Sequence, residues 1–119
     1  MWRTAETNTH QDHVIAHVIG ASVLSYFTWD ETAYLQLDIG FIWNIYLDAE
    51  MGLLPERAAL AELDVDERLR QWQPIATPSP IQSVDVFESD DGRRLVLNCE
   101  DANITLDTSF TTREIVVKE

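Results

Sequence analysis

Three histidines are the side chains of this sequence best suited to hold a metal ion. His10, His13 and His17 are spaced by three and four residues, so a helix would place all three on one face. Three imidazoles can bind Zn²⁺. In a strand, by contrast, His13 and His17 would share a face without His10. Nothing in the sequence fixes supporting residues around them, so we expect no functional metal and no cofactor.

Carboxylates near the predicted strand ends suggest a second kind of chemistry. Asp38, Asp48, Glu50 and the adjacent Asp30 and Glu31 could act as acid and base on a glycoside, which needs two carboxyl groups within about 10 Å. In a chain with 21 Asp and Glu residues, however, such neighbours arise by chance. We interpret them as surface groups and expect a protein that is not an enzyme.

The charge of the chain bounds its partners. The formal net charge is −13, and between Thr4 and Glu56 there are eight carboxylates and no lysine or arginine. Such a surface repels nucleic acid phosphates and anionic membranes and attracts basic proteins. We therefore expect a basic protein as the partner, and neither nucleic acid nor a membrane. The alternative is that the acidity only solvates the surface.

Aromatic residues in the same acidic stretch could anchor such a partner, since they bring large contact area at low entropy cost. Strand alternation cannot hide all of them on one face. Trp29 is the first expected at the surface because it precedes an acidic turn. We predict a contact surface in which carboxylates steer and aromatic rings anchor, formed by Trp29, Asp30, Glu31, Tyr34 and Asp38.

Length and cysteine usage indicate a single intracellular domain, residues 1–119. The single cysteine, Cys99, cannot form an internal disulfide, which favours a reducing compartment. The N-terminus lacks the apolar run of a signal peptide, and no apolar stretch approaches the roughly 18 residues of a membrane span. We therefore expect a cytoplasmic protein.

Hydrophobic periodicity divides the chain into β, helical and β regions. Alternation of apolar and polar residues is broken by turn residues at Asp30-Glu31, at Gly40 and at Asp90-Asp91-Gly92, where we expect a positive φ at Gly92. The predicted segments are a flexible N-terminus at 1–12, a first β unit at 19–47, a helical region at 55–72, a proline-rich connector at 73–80 and a second β unit at 81–118.

These segments predict an α+β fold. We expect one antiparallel sheet of six or seven strands, built from two meander units and curled into a half-open barrel or a sandwich, with the helical element inserted between the units. A capping box of Asp64 and Glu67 predicts that the helical region restarts there. A shift of 60 residues aligns Phe27 with Phe87 and three further identical pairs, which suggests an internal repeat.

Charge and fold class together favour a small acidic cytosolic protein that binds a basic partner without catalysis, in the way that immunity or inhibitor proteins bind basic nucleases. One alternative is a small-molecule or metal-binding domain that uses a cavity in the curved sheet. The other is a homodimeric structural protein with an acidic coat.

Overall fold

The computed structural model describes residues 1–63, 66 and 70–119. These residues form ten strands and two helices. In chain order they are β1 (Arg3–Thr4), α1 (Thr9–Val18), β2 (Val23–Trp29), β3 (Thr32–Leu37), β4 (Phe41–Tyr46), β5 (Met51–Pro55), α2 (Glu56–Glu62), β6 (Gln73–Pro74), β7 (Ile81–Ser89), β8 (Gly92–Cys99), β9 (Asn103–Ser109) and β10 (Glu114–Lys118).

The strands form two five-stranded antiparallel sheets, with the orders β1-β7-β8-β9-β10 and β5-β4-β3-β2-β6. The two sheets form a sandwich whose apolar faces share one core, in which Leu35, Trp43, Leu95 and Leu106 are fully buried. The α+β class and the antiparallel pairing are confirmed, whereas a single sheet of six or seven strands is wrong. Alternation identifies the buried face of a strand, but it does not say to which of two facing sheets the strand belongs.

Helix α1 resolves the choice between helix and strand for residues 10–17. Asn8 begins it, since its side chain accepts a hydrogen bond from the Gln11 backbone N–H at 2.8 Å, and the Gln11 side chain accepts one from the Asn8 N–H at 2.9 Å. This capping box satisfies two N–H groups that a helix start leaves free. Residues 1–12, for which flexibility is predicted, contain β1 and the first turn of α1.

Helix α2 follows Pro55 directly and spans a shorter stretch than the predicted helical region, 55–72. It packs against β4 and β5, and its first residue, Glu56, accepts a hydrogen bond from the Gln36 amide at 2.9 Å. The predicted restart at Asp64 and Glu67 lies outside the described residues. Trp72, beyond it, packs edge-on against Phe27 with ring centroids 4.5 Å apart.

The two β units repeat one arrangement. Strands β2 and β7 end at residues 29 and 89, and β3 and β8 begin at 32 and 92, so the first hairpins are 60 residues apart. The segment preceding each unit adds a two-residue strand to the other sheet, β1 to β7 and β6 to β2. The Asp38 N–H donates to the Ser22 carbonyl, and the Glu100 N–H donates to the Pro80 carbonyl, both at 3.0 Å. The two units therefore share the same strand arrangement and exchange their preceding short strands.

The backbone conformation of Gly92 differs from the predicted one. A positive φ occurs at Asp30, Glu31 and Gly40, but not at Gly92, which is the first residue of β8. Glycine is required there by space, because a Cβ atom would lie 1.9 Å from the Thr108 carbonyl oxygen of β9. The turn between β7 and β8 is confirmed, and the reason for its glycine is a close approach of two backbones.

Candidate docking site

Four turns meet at one end of the sandwich, which we call the turn end: residues 30–31, 47–50, 90–91 and 110–113. Antiparallel connectivity brings the first two together in one sheet and the last two together in the other. Thr108 joins the sheets here, because its hydroxyl donates to the Leu47 carbonyl at 2.7 Å and accepts from the Arg93 N–H at 2.9 Å. The turn end is therefore a surface built from both β units.

An aromatic row lies across the outer face of the sheet beside these turns. Thr32 is paired with Trp29 on one side and with Tyr46 on the other, so the three side chains share a face. Trp29 and Tyr46 are 46% and 41% exposed. The structure thus places Trp29 at the surface together with Tyr46, an aromatic residue of the same acidic stretch that lies outside the predicted contact surface.

Tyr34 extends this row inward. Its ring stacks on Phe27 with centroids 4.7 Å apart, and Phe27 in turn contacts Trp72. Burial raises the pKa of the Tyr34 phenol, whose hydroxyl hydrogen-bonds the Thr32 side chain and lies near Tyr46 and Asp30. Tyr34 is therefore half-buried, with its hydroxyl near Asp30 and Tyr46 and its ring packed on Phe27 beside the aromatic row.

Two open grooves run beside the aromatic row. One of about 450 Å³ lies between the β2–β3 and β9–β10 turns and is lined by Trp29, Asp30, Glu31, Arg113 and Glu114, among others. A second groove, of about 330 Å³, has Asp30, Tyr46 and Asp48 in its wall. Asp48 accepts a hydrogen bond from the Glu50 N–H at 3.0 Å. Within the described part of the chain, neither Asp30 nor Asp48 has a basic side chain as an ion-pair partner.

Glu31 differs from these carboxylates because it already has a cation. Arg113 donates through Nε to one oxygen and through Nη2 to the other, the latter at 2.7 Å. These hydrogen bonds hold the pKa of the Glu31 carboxyl below its ordinary value. Asp30, Glu31 and Arg113 all have a positive φ, which non-glycine residues seldom adopt. Glu31 thus links the turns of the two sheets and is not a free charge.

Asp38 does not belong to this surface. It lies in the turn after β3, at the opposite end of the sheet, and β3 spans six residues, or roughly 20 Å. Its carboxylate accepts a hydrogen bond from the Ser22 N–H at 2.9 Å. Ser22 forms a β-bridge with Pro80, just before the second unit, so Asp38 supports the junction between the two β units instead of joining the other four predicted residues.

The three histidines lie on one side of α1, facing a groove of about 440 Å³ that is otherwise apolar and includes Ile39, Phe41 and Leu53. His10 Nε2 lies 2.8 Å from the Met51 carbonyl oxygen, so this nitrogen carries a proton and donates. Among residues 1–63, 66 and 70–119, no group of three or more His, Cys, Asp or Glu side chains is arranged to hold a metal ion.

Comparisons with known proteins give this chain no relative, so its function has to be inferred from the geometry of the turn end. No family model, curated protein or solved structure matches the chain. No helix in the described part of the chain is long and apolar enough to cross a membrane. The class defined by the fold and the site is an α+β sandwich of two antiparallel sheets with an acidic, aromatic turn end.

Proposed function

We propose that this chain is a non-enzymatic binding protein whose turn end docks a basic segment of a protein partner, as small immunity or inhibitor proteins do. The observation that carries the proposal is the combination of exposed Trp29 and Tyr46 with the carboxylates of Asp30 and Asp48 in the adjoining grooves. A lysine or arginine of the partner would lie over an aromatic ring and within reach of a carboxylate.

Physical chemistry supports a cationic occupant. A cation on a Trp or Tyr face gains about 0.5 to 2 kcal/mol, depending on how far it is desolvated. A neighbouring carboxylate adds a charge-assisted hydrogen bond. The net charge of −13 draws a basic protein toward the surface over long range. Attraction thus raises the association rate, and the aromatic row holds the complex once it has formed.

Arg113 limits how Glu31 can take part. Because both Glu31 oxygens accept hydrogen bonds from Arg113, a partner cation gains little from Glu31 unless it displaces that guanidinium. Asp30 and Asp48 are the carboxylates that a partner meets first. We assign steering to Asp30 and Asp48 and anchoring to Trp29 and Tyr46.

The test begins with a pull-down from the source cell's lysate at low and high salt, followed by kinetics on the purified basic protein that it retains. Asp30→Lys should lower the association rate at low salt, with a smaller effect at high salt. Trp29→Ala should instead speed dissociation, by about 30-fold where the ring is a hot spot worth about 2 kcal/mol. The matched control is Asp101→Lys, which changes the net charge equally but lies in the β8–β9 turn at the opposite end.

Three results would refute the docking site. If Asp101→Lys slows association as much as Asp30→Lys, the partner senses only the total charge. If Trp29→Ala leaves the dissociation rate unchanged, the aromatic row is not in the contact. If the low-salt pull-down enriches no basic protein, the acidic residues serve only to solvate the surface.

The groove beside His10, His13 and His17 is the observation that favours the alternative function, a small-molecule or metal-binding domain. Zinc that bound the folded protein there would raise the melting temperature by mass action, and His13→Ala would abolish the rise. We expect no zinc-dependent rise. A stoichiometric zinc signal in the purified protein would favour the alternative over docking.

A further inference from the structure

Strand β10 leaves one side of its backbone unpaired. It is the last strand of its sheet and pairs with β9, and no described residue pairs with its other side. The other three sheet edges are protected in different ways. Strands β1 and β6 have two residues each, and β5 ends in Pro55 and packs against both helices. Strand β10 has five residues and no proline, so its edge can accept another strand.

The side chains of β10 divide between the two faces of the sheet. Val116 lies opposite Asp107, which is opposite Arg94, on the face away from the core. Glu114 and Lys118 therefore also point outward, and Ile115 and Val117 point inward. Val116 is 45% exposed. The strand thus presents an outward row of acidic, apolar and basic residues in that order.

We propose that β10 pairs with β10 of a second copy of this chain, antiparallel and with a two-fold axis at Val116. This register places Glu114 opposite the partner's Lys118, twice by symmetry, and Val116 opposite the partner's Val116. On the inner face, Ile115 meets the partner's Val117. When two copies of the outward row run in opposite directions, an acidic residue faces a basic one at each end and valine faces valine in the middle. This charge complementarity identifies the occupant as a second copy.

Other registers lose this complementarity. Centring the axis on Ile115 or Val117 removes both opposite-charge pairs and sets a charged residue opposite Val116. A slip of one residue along one strand turns its outward row toward the inner face. A single register therefore satisfies both charges and both faces. The result is a continuous ten-stranded sheet across the dimer.

The interface is small, and its salt dependence has a definite sign. One strand pairing falls below the roughly 1,200 Å² of a stable interface, so we expect a dissociation constant of roughly tens to hundreds of micromolar. Each copy carries a net charge of −13, so long-range repulsion opposes association. Moderate salt should strengthen the dimer, whereas it should weaken docking of a basic partner, so the two proposals fail separately.

Sedimentation velocity over a concentration series at two salt concentrations is the first test. Val116→Lys keeps the fold, since Val116 is 45% exposed and buries little on the outer face, but it places two lysines opposite each other at the axis. It should raise the dissociation constant at least tenfold. Val96→Lys on β8 is the matched control, because it lies on the same outer face, beside Asp85, and away from the edge. Monomeric wild-type protein at millimolar concentration, or equal effects of the two variants, would overturn the proposal.

Cysteine cross-linking tests the register. Opposite residues in an antiparallel pair have Cα atoms about 4.5 to 5.5 Å apart, which suits a disulfide. Oxidised Val116→Cys should give covalent dimers, and Val96→Cys should not. Glu114→Cys and Lys118→Cys should each cross-link poorly alone and form a heterodisulfide when mixed. The native Cys99 is buried and is replaced by alanine in every variant. Failure of the mixed pair to cross-link would refute this register.

Discussion

Gly92→Ala should be the most damaging of the single-methyl additions at the glycines of this protein. The new Cβ would lie 1.9 Å from the Thr108 carbonyl oxygen and 2.9 Å from its carbon, whereas real Cβ atoms essentially never approach within 3.0 Å. Strands β8 and β9 would have to separate by about 1.1 Å at this point. Overpacking against backbone, which cannot rotate away as a side chain can, costs about 2 to 3 kcal/mol.

Thermal unfolding followed by circular dichroism measures this cost. A chain of this length has an unfolding entropy that converts 1 kcal/mol into about 4 °C, so Gly92→Ala should lower the melting temperature by about 8 to 12 °C. Gly52→Ala is the control, since among the described residues no atom beyond its chain neighbours lies within 4 Å of the Cβ position, and its φ is not positive. It should be neutral or raise stability by up to about 1 kcal/mol. Equal melting temperatures for the two variants would show that the close approach at Thr108 is wrong.

Two further substitutions test how the sheets are joined at the turn end. Thr108→Val removes the hydroxyl that bonds Leu47 and Arg93, so chemical denaturation should show a loss of about 1 to 3 kcal/mol that Thr108→Ser largely avoids. Glu31→Gln should lower the melting temperature at neutral pH. Because the folded pKa of Glu31 is depressed, its stabilisation is present above the unfolded pKa of about 4.3 and is lost as the pH falls through the folded value. The difference from wild type should shrink below about pH 4, and a constant difference would contradict this role.

Local patterns were sufficient for most elements of the β units. The alternation in residues 23–37 and the acidic pair Asp30-Glu31 predict a hairpin, and the structure has one with a positive φ at both turn residues. Which sheet a strand joins depends on contacts between the two β units. These contacts join residues far apart in sequence, so a local pattern cannot show them. Strands β1 and β6 have two residues each, which is too short for any period to be visible.

The candidate site shows the same division between local and distant information. Trp29 and Asp30 follow from a strand that ends in an acidic turn. The pairing of Glu31 with Arg113 joins residues 82 positions apart, so the sequence could not show that this carboxylate is already neutralised. The sequence predicts Asp38 in the same surface as Asp30 because both belong to the acidic stretch without lysine or arginine, yet consecutive turns of a meander lie at opposite ends. Every second turn of a meander lies at the same end of the sheet. The 47–50 turn, with Asp48, therefore lies beside Asp30, and the turn with Asp38 lies at the other end.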